Sequence, residues 1–198
     1  MDIVPCFLDV NNRMAVHGRP LAERIREGGG DALWEDRREG RIDTVVIHYI
    51  SAADTDPGHP FRTESILRIF VDFGVSSHYL VSREGTVLGL VPEDKKAWHC
   101  GGSAMPPPDL RRGVNEFSIG IELVATGGSG FTAAQYASCA ALCRDIESRY
   151  GRMTYVGHQD IAGDSAVTLG LRKEAKPDPG PLFDWDRFRR ELGGARPA

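Results

Sequence analysis

Short apolar runs alternate with longer amphipathic stretches along the chain. Thr44-Val45-Val46-Ile47 and Met153-Thr154-Tyr155-Val156 are compact and largely β-branched, the pattern of buried central strands. Residues 117–124 (FSIGIELV) form a third run, apolar except for Ser118 and Glu122. Residues 78–82 and 86–91, turned at Arg83-Glu84-Gly85, predict a hairpin. Helical spacing fills the intervals. Ile66, Phe70 and Phe73 predict the inner face of a helix capped by Thr63 and ended by Gly74. Thr132 and Gln135 form a capping box ahead of Tyr136, Cys139, Ala140, Cys143 and Ile146, a core-packing helix that ends near Tyr150-Gly151. Asp184 caps a last helix docked by Trp185, Phe188 and Leu192. Strands interleaved with helices predict an α/β fold, and the hairpin makes the central sheet mixed. Residues 1–41 carry a weaker signal. Residues 16–26 are faintly helical, Gly28-Gly29-Gly30 breaks them, and residues 35–41 are a charged approach to the first strand. They read as an N-terminal extension of a single domain spanning 42–193.

At 198 residues the chain is long enough for one substantial core. A formal charge of -4, with no basic stripe, argues against a nucleic-acid partner. No apolar run approaches membrane-spanning length, and the start MDIVPCFLDV lacks a basic stretch followed by a long apolar one. The four cysteines, Cys6, Cys100, Cys139 and Cys143, form no CxxC pair, and the last two share a helix face where they are poorly placed to bond. Reduced core thiols and a cytoplasmic location are expected. Cys100 stands apart because it adjoins His99 in a loop. Sequence neighbours rarely have the geometry of a Cys-His nucleophilic pair.

Candidate chemistry concentrates near the C-terminus. Lys176-Pro177-Asp178-Pro179-Gly180-Pro181 holds three X-Pro pairs, each pushing its first residue toward an extended conformation. Side chains two apart in an extended chain point the same way, so Lys176 and Asp178 should face one site. The bland alternative is a proline-rich turn with an incidental ion pair. Two further groups tip the balance, because the run 44–47 leads into His48-Tyr49 and the run 153–156 into Gly157-His158. Two imidazoles and Asp178 make three ligands and leave a fourth position for water, as in a catalytic zinc site with one ion per chain. Each histidine alone reads more simply as a satisfied core residue. Glu122 is costly to bury unpaired, so it needs a partner or a function unless its strand is an edge facing water. His17 and His59 read as surface residues, and His78 as core or supporting. Residues 95–114, with three consecutive prolines, form a long irregular loop of the kind that is usually functional.

The motifs VVIHYIS, VSSHYLVSREG, KKAWHCGG, NEFSIGIELVATG, GHQDIA and KPDPGPLFDWDRF occur in one order across most of the chain. Together they resemble the zinc-dependent N-acetylmuramoyl-L-alanine amidases, which share a fold with peptidoglycan recognition proteins and phage T7 lysozyme. The likeness is greatest to the cytosolic branch that trims recycled anhydro-muropeptides. The resemblance implies a peptidoglycan or muropeptide substrate cut between N-acetylmuramic acid and L-alanine. It makes Glu122 the general base and Lys176 the oxyanion stabiliser, and it sets Trp98 and His99 along the substrate groove, a reading preferred to the bland alternative of a Trp98 that plugs its loop onto the core. Tyr49 follows the first ligand where that branch has a substrate-contacting asparagine. Residues 163–174 are longer than the branch's compact spacing, as a lid or a change in specificity would require. Two alternatives share these features: a non-catalytic binding module of the same fold, and a zinc peptidase acting within the stem peptide.

Overall fold

The computed structural model describes residues 1–193 except 17 and 39, so His17 lies outside the described residues. Six strands form the central sheet, in the order β1 (Val4–Pro5), β7 (Val87–Gly89), β6 (Tyr79–Val81), β9 (Ser118–Val124), β5 (Thr44–Ile50) and β10 (Thr154–Gly157). Only the β6–β7 hairpin pairs antiparallel; the other four pairings are parallel. The α/β class and the mixed sheet therefore match the sequence expectation.

Period-two alternation divides the sheet into two unlike faces. Val45, Ile47, Ile119, Ile121 and Leu123 point to one side, under α3 (Ala133–Tyr150) and α6 (Trp185–Gly193), in a cluster completed by Tyr136, Cys139, Ile146 and Phe188. The alternate positions, Val46 and His48 on β5 and Ser118, Gly120 and Glu122 on β9, therefore project to the opposite face. That face is polar and small-sided in its middle. A second apolar cluster covers its outer part, where α1 (Leu21–Glu27) and α2 (Thr63–Phe73) pack through Leu21, Ile25, Ile66, Leu67 and Phe70.

Local signals account for the helix ends. Thr132 Oγ1 accepts from the Gln135 amide at 3.1 Å and Gln135 Oε1 from the Thr132 amide at 3.0 Å, the reciprocal cap of α3. Asp184 Oδ1 accepts from the Arg187 amide at 2.8 Å and starts α6. Two expectations for α2 fail. Thr63 is its first helical residue, after Arg62, and makes no side-chain cap. Phe73 shares the phase of Ile66 but sits in the final turn before the left-handed Gly74, and is 69% exposed.

Residues 1–41 are woven into the body. Val4–Pro5 adds an edge strand beside β7, and Trp34–Asp36 (β4) pairs with Lys95–Ala97 (β8). The faint helix at 16–26 is instead the ribbon of β2 (Ala15–Val16) and β3 (Arg19–Pro20), followed by α1. Arg37 is the bolt: its guanidinium donates to the carbonyls of Glu93, Asn115, Glu116 and Ser118 at 2.8–3.1 Å.

A candidate metal centre in a polar cavity

Strand register builds the site. In the parallel β5–β9 pair His48 stands beside Glu122, and in β10–β5 Gly157 stands beside Ile47, so the next residue, His158, falls beside His48. His48 and Glu122 thus stand side by side on β5 and β9, and His158 follows directly after the end of β10 beside them. His158 opens the short helix α4 (His158–Ala162), and the 176–180 loop is stitched back onto it. The Gln159 amide donates to the Asp178 carbonyl at 2.7 Å, the Gly180 amide to Gln159 Oε1 at 3.1 Å, and the Lys176 amide to the Ala162 carbonyl at 2.9 Å. Gly157 is needed where this loop crosses, since a Cβ there would come within 2.7 Å of Pro179 Cδ.

These elements enclose a cavity of about 210 Å³ lined by His48, Tyr49, Trp98, His99, Glu122, His158, Lys176 and Asp178, together with Ile50, Phe70, Val75 and Ser76. All eight residues singled out from the sequence therefore meet in one place. Asp178 Oδ2 lies 3.0 Å from His48 Nδ1 and 3.1 Å from His158 Nδ1. A tetrahedral zinc site with bonds of about 2.0–2.1 Å spaces its donors roughly 3.3 Å apart; the two separations to Asp178 are close to that, and all three donors lie within 4.8 Å of one another. Lys176 is exposed at the cavity wall, and Tyr49 is half-buried.

Protonation states point the same way. Burial pushes the His48 imidazole down to about 4, leaving it neutral at pH 7. Burial alone would raise the Asp178 carboxyl, but hydrogen bonding with His158 and His48 outweighs it and holds the group well below the usual carboxylate range. A neutral imidazole and an ionised carboxylate are the forms that bind metal. A second donor set, His48 with His99 and Cys100, shares one residue with the first. It fits less well, because burial holds the Cys100 thiol well above its ordinary range and a ligating cysteine must be a thiolate. The same burial removes Cys100 as a nucleophile, although its Sγ is 3.1 Å from His99 Nδ1. All four cysteines are free and buried.

Glu122 is the unusual group. It is buried, and its Oε2 has no hydrogen-bond partner among the described residues. Burial, and then the charge of Asp178, push its carboxyl well above the ordinary range, against a smaller opposing pull from Lys176. Such an acid is costly to keep for packing alone. His78, fully buried, accepts the Gly120 amide through Nδ1 at 2.9 Å and lies outside both donor sets.

Several supporting residues carry no distinct signal in the sequence. Asn115 Oδ1 accepts the amides of His99 and Cys100 at 3.3 and 2.8 Å, Ser76 Oγ accepts the Trp98 amide at 2.9 Å, and Glu35 Oε1 accepts Trp98 Nε1–H at 3.2 Å. Asn115 and Ser76 sit at the starts of NEFSIGIELVATG and VSSHYLVSREG and Glu35 lies in neither, and nothing in their spacing announces these contacts. Residues 163–174 fold partly as α5 (Asp164–Thr168), which faces Met105, Pro106 and Pro107 across a separate, mostly apolar hollow of about 410 Å³. Among the described residues no helix is long and apolar enough to cross a membrane.

A family model described as N-acetylmuramoyl-L-alanine amidase matches residues 38–181. The 1,6-anhydro-N-acetylmuramyl-L-alanine amidase AmpD of Escherichia coli K12 is 41% identical over 137 residues, 68% of this chain and 65% of that protein. The chain thus spans about two thirds of the length of this curated relative. Among solved structures, a selenomethionine derivative of AmpD matches with a TM-score of 0.67 at 32% identity, covering 81% of this chain and 90% of that one. The E. coli amidase AmiD, in complex with the substrate anhydro-N-acetylmuramic acid-L-Ala-D-gamma-Glu-L-Lys, matches with a TM-score of 0.58 at 35% identity, covering 80% and 60%.

Proposed function

The chain belongs to the N-acetylmuramoyl-L-alanine amidase family, and from that premise we propose that it hydrolyses the amide joining the lactyl group of N-acetylmuramic acid to L-alanine in muropeptides. The observation that carries the reading is the convergence of His48 Nδ1 and His158 Nδ1 on Asp178 Oδ2 in the cavity that also holds Glu122, whose Oε2 has no hydrogen-bond partner among the described residues. His48, His158 and Asp178 would hold one zinc ion. Bound there, zinc supplies a Lewis acid that makes water nucleophilic near neutral pH and polarises the scissile carbonyl.

The remaining work falls to side chains. Glu122 takes a proton from the attacking water as the new C–O bond forms, and a raised pKa suits a group that must then give that proton away. It delivers the proton to the alanine nitrogen as the C–N bond breaks, leaving a lactyl carboxylate and a free α-amine. The Lys176 ammonium stabilises the negative charge that develops on the carbonyl oxygen. Tyr49 and Trp98, on the cavity wall, contact the sugar and stem peptide. The substrate class is the one named for the AmiD complex, an anhydro-muramyl peptide. The free thiols suit a reducing compartment, the cytoplasm.

Product mass spectrometry on a defined anhydro-muramyl peptide, with and without chelator, tests the reading. Free anhydro-sugar plus an intact stem peptide, lost on chelation, is expected. A shortened peptide would make the chain a peptidase, and no product a binding module; either would overturn the proposal.

A further inference from the structure

We infer that His99 is a positioning residue that holds the His48 imidazole in the orientation and tautomer a metal requires. The inference rests on the zinc reading above. His48 Nε2 lies 3.0 Å from His99 Nδ1, with the two rings edge to face at 84°. When His48 Nδ1 is committed to a cation, its only proton is on Nε2, and His99 Nδ1 must accept it. That fixes the His99 proton on Nε2, 3.3 Å from Ser118 Oγ. The run of polar groups is continuous, His48 Nε2–H to His99 Nδ1 and His99 Nε2–H to Ser118 Oγ, with the Cys100 thiol also 3.1 Å from His99 Nδ1. Ligating histidines generally depend on such an acceptor for their free ring nitrogen.

Three observations mark His99 as built for this task. It is 9% exposed, although it lines the cavity, so little of its ring is open to substrate. Its backbone is pinned by Asn115, while the carbonyl of the next residue, Cys100, lies 3.3 Å from His158 Nε2. One dipeptide therefore backs both imidazoles. Finally, β9 makes room for the ring with a glycine in a central strand, since a Cβ on Gly120 would approach His99 Nδ1 to 2.6 Å.

The test compares His99→Leu, which removes the acceptor, with His99→Asn, whose side-chain oxygen can take the place of Nδ1. Zinc affinity is read by competition with a chromophoric chelator, and kcat and KM are measured at saturating zinc. The leucine variant should bind zinc roughly 10–100-fold more weakly and lose kcat at near-constant KM, and asparagine should recover most of both. Unchanged zinc affinity with a raised KM would overturn the inference and make His99 a substrate contact. Nitrogen NMR of the unaltered zinc-loaded protein supplies a check that needs no variant to fold. His99 protonated on Nε2 supports the assignment, and a proton on Nδ1 refutes it. Failure of the unaltered protein to bind zinc would instead overturn the metal reading, and this inference with it.

Discussion

Replacing Glu122 with glutamine should make the metal-free protein more stable and the loaded enzyme nearly inactive. The carboxylate is 9% exposed, and one of its oxygens meets no donor among the described residues. A buried polar group left unsatisfied costs about 1–3 kcal/mol, more when charged. Glutamine removes the charge but keeps polar atoms, so the lower end, about 1 kcal/mol, is the expected gain at neutral pH. For a domain of this size that raises Tm by roughly 2–4 °C. The pH dependence follows from the direction of the shift. Because burial raises its pKa, folded Glu122 holds its proton more tightly than the unfolded chain does. Wild-type stability therefore falls as pH climbs from the ordinary glutamate range, about 4.3, through the raised folded value. The variant lacks this slope, so the gap between the two should be small at pH 4 and open at pH 8. Thermal unfolding of chelator-treated protein across that range measures it. Loss of the general base should lower kcat about 10²–10⁴-fold with zinc content unchanged. A variant no more stable than wild type at pH 8, or one that retains turnover within tenfold, would refute the reasoning.

Three other perturbations separate the remaining roles. Asp178→Ala removes the group shared by His48 and His158; elemental analysis should find zinc lost, and turnover should match that of the chelated wild type. Lys176→Ala should keep its zinc while kcat falls about 10²–10³-fold, the usual effect of removing one oxyanion donor; an unchanged kcat would free Lys176 of that role. Gly120→Ala drives a methyl group toward His99 and Ser77 Oγ, at 2.6 and 2.8 Å. It should lower stability by about 1–3 kcal/mol, as overpacking does, and calorimetry would show this.

Local chemistry made much of the fold legible before any coordinates. The Thr132/Gln135 box, the Asp184 cap and the β-branched run before His48 each act within a few residues, and each appears where the pattern put it. What escaped was set by distant partners. Val4–Pro5 and Trp34–Asp36 are strands because β7 and β8 lie beside them, and pieces two or three residues long carry no period to detect. The same applies to the cavity. Asp178 and Glu122 stood out because a carboxylate amid prolines, or inside an apolar strand, is conspicuous. Asn115, Ser118 and Arg37 did not, since their significance lies in which backbone or ring they reach across the fold.

Where a divalent cation sits decides the chemistry of the cavity. Diffraction data collected at the zinc absorption edge from zinc-loaded crystals would place the ion directly. A single anomalous peak bonded to His48 Nδ1, His158 Nδ1 and Asp178 Oδ2, with Glu122 facing its open side, is the predicted result. A peak held by His99 and the Cys100 sulfur, or none near Asp178, would contradict it.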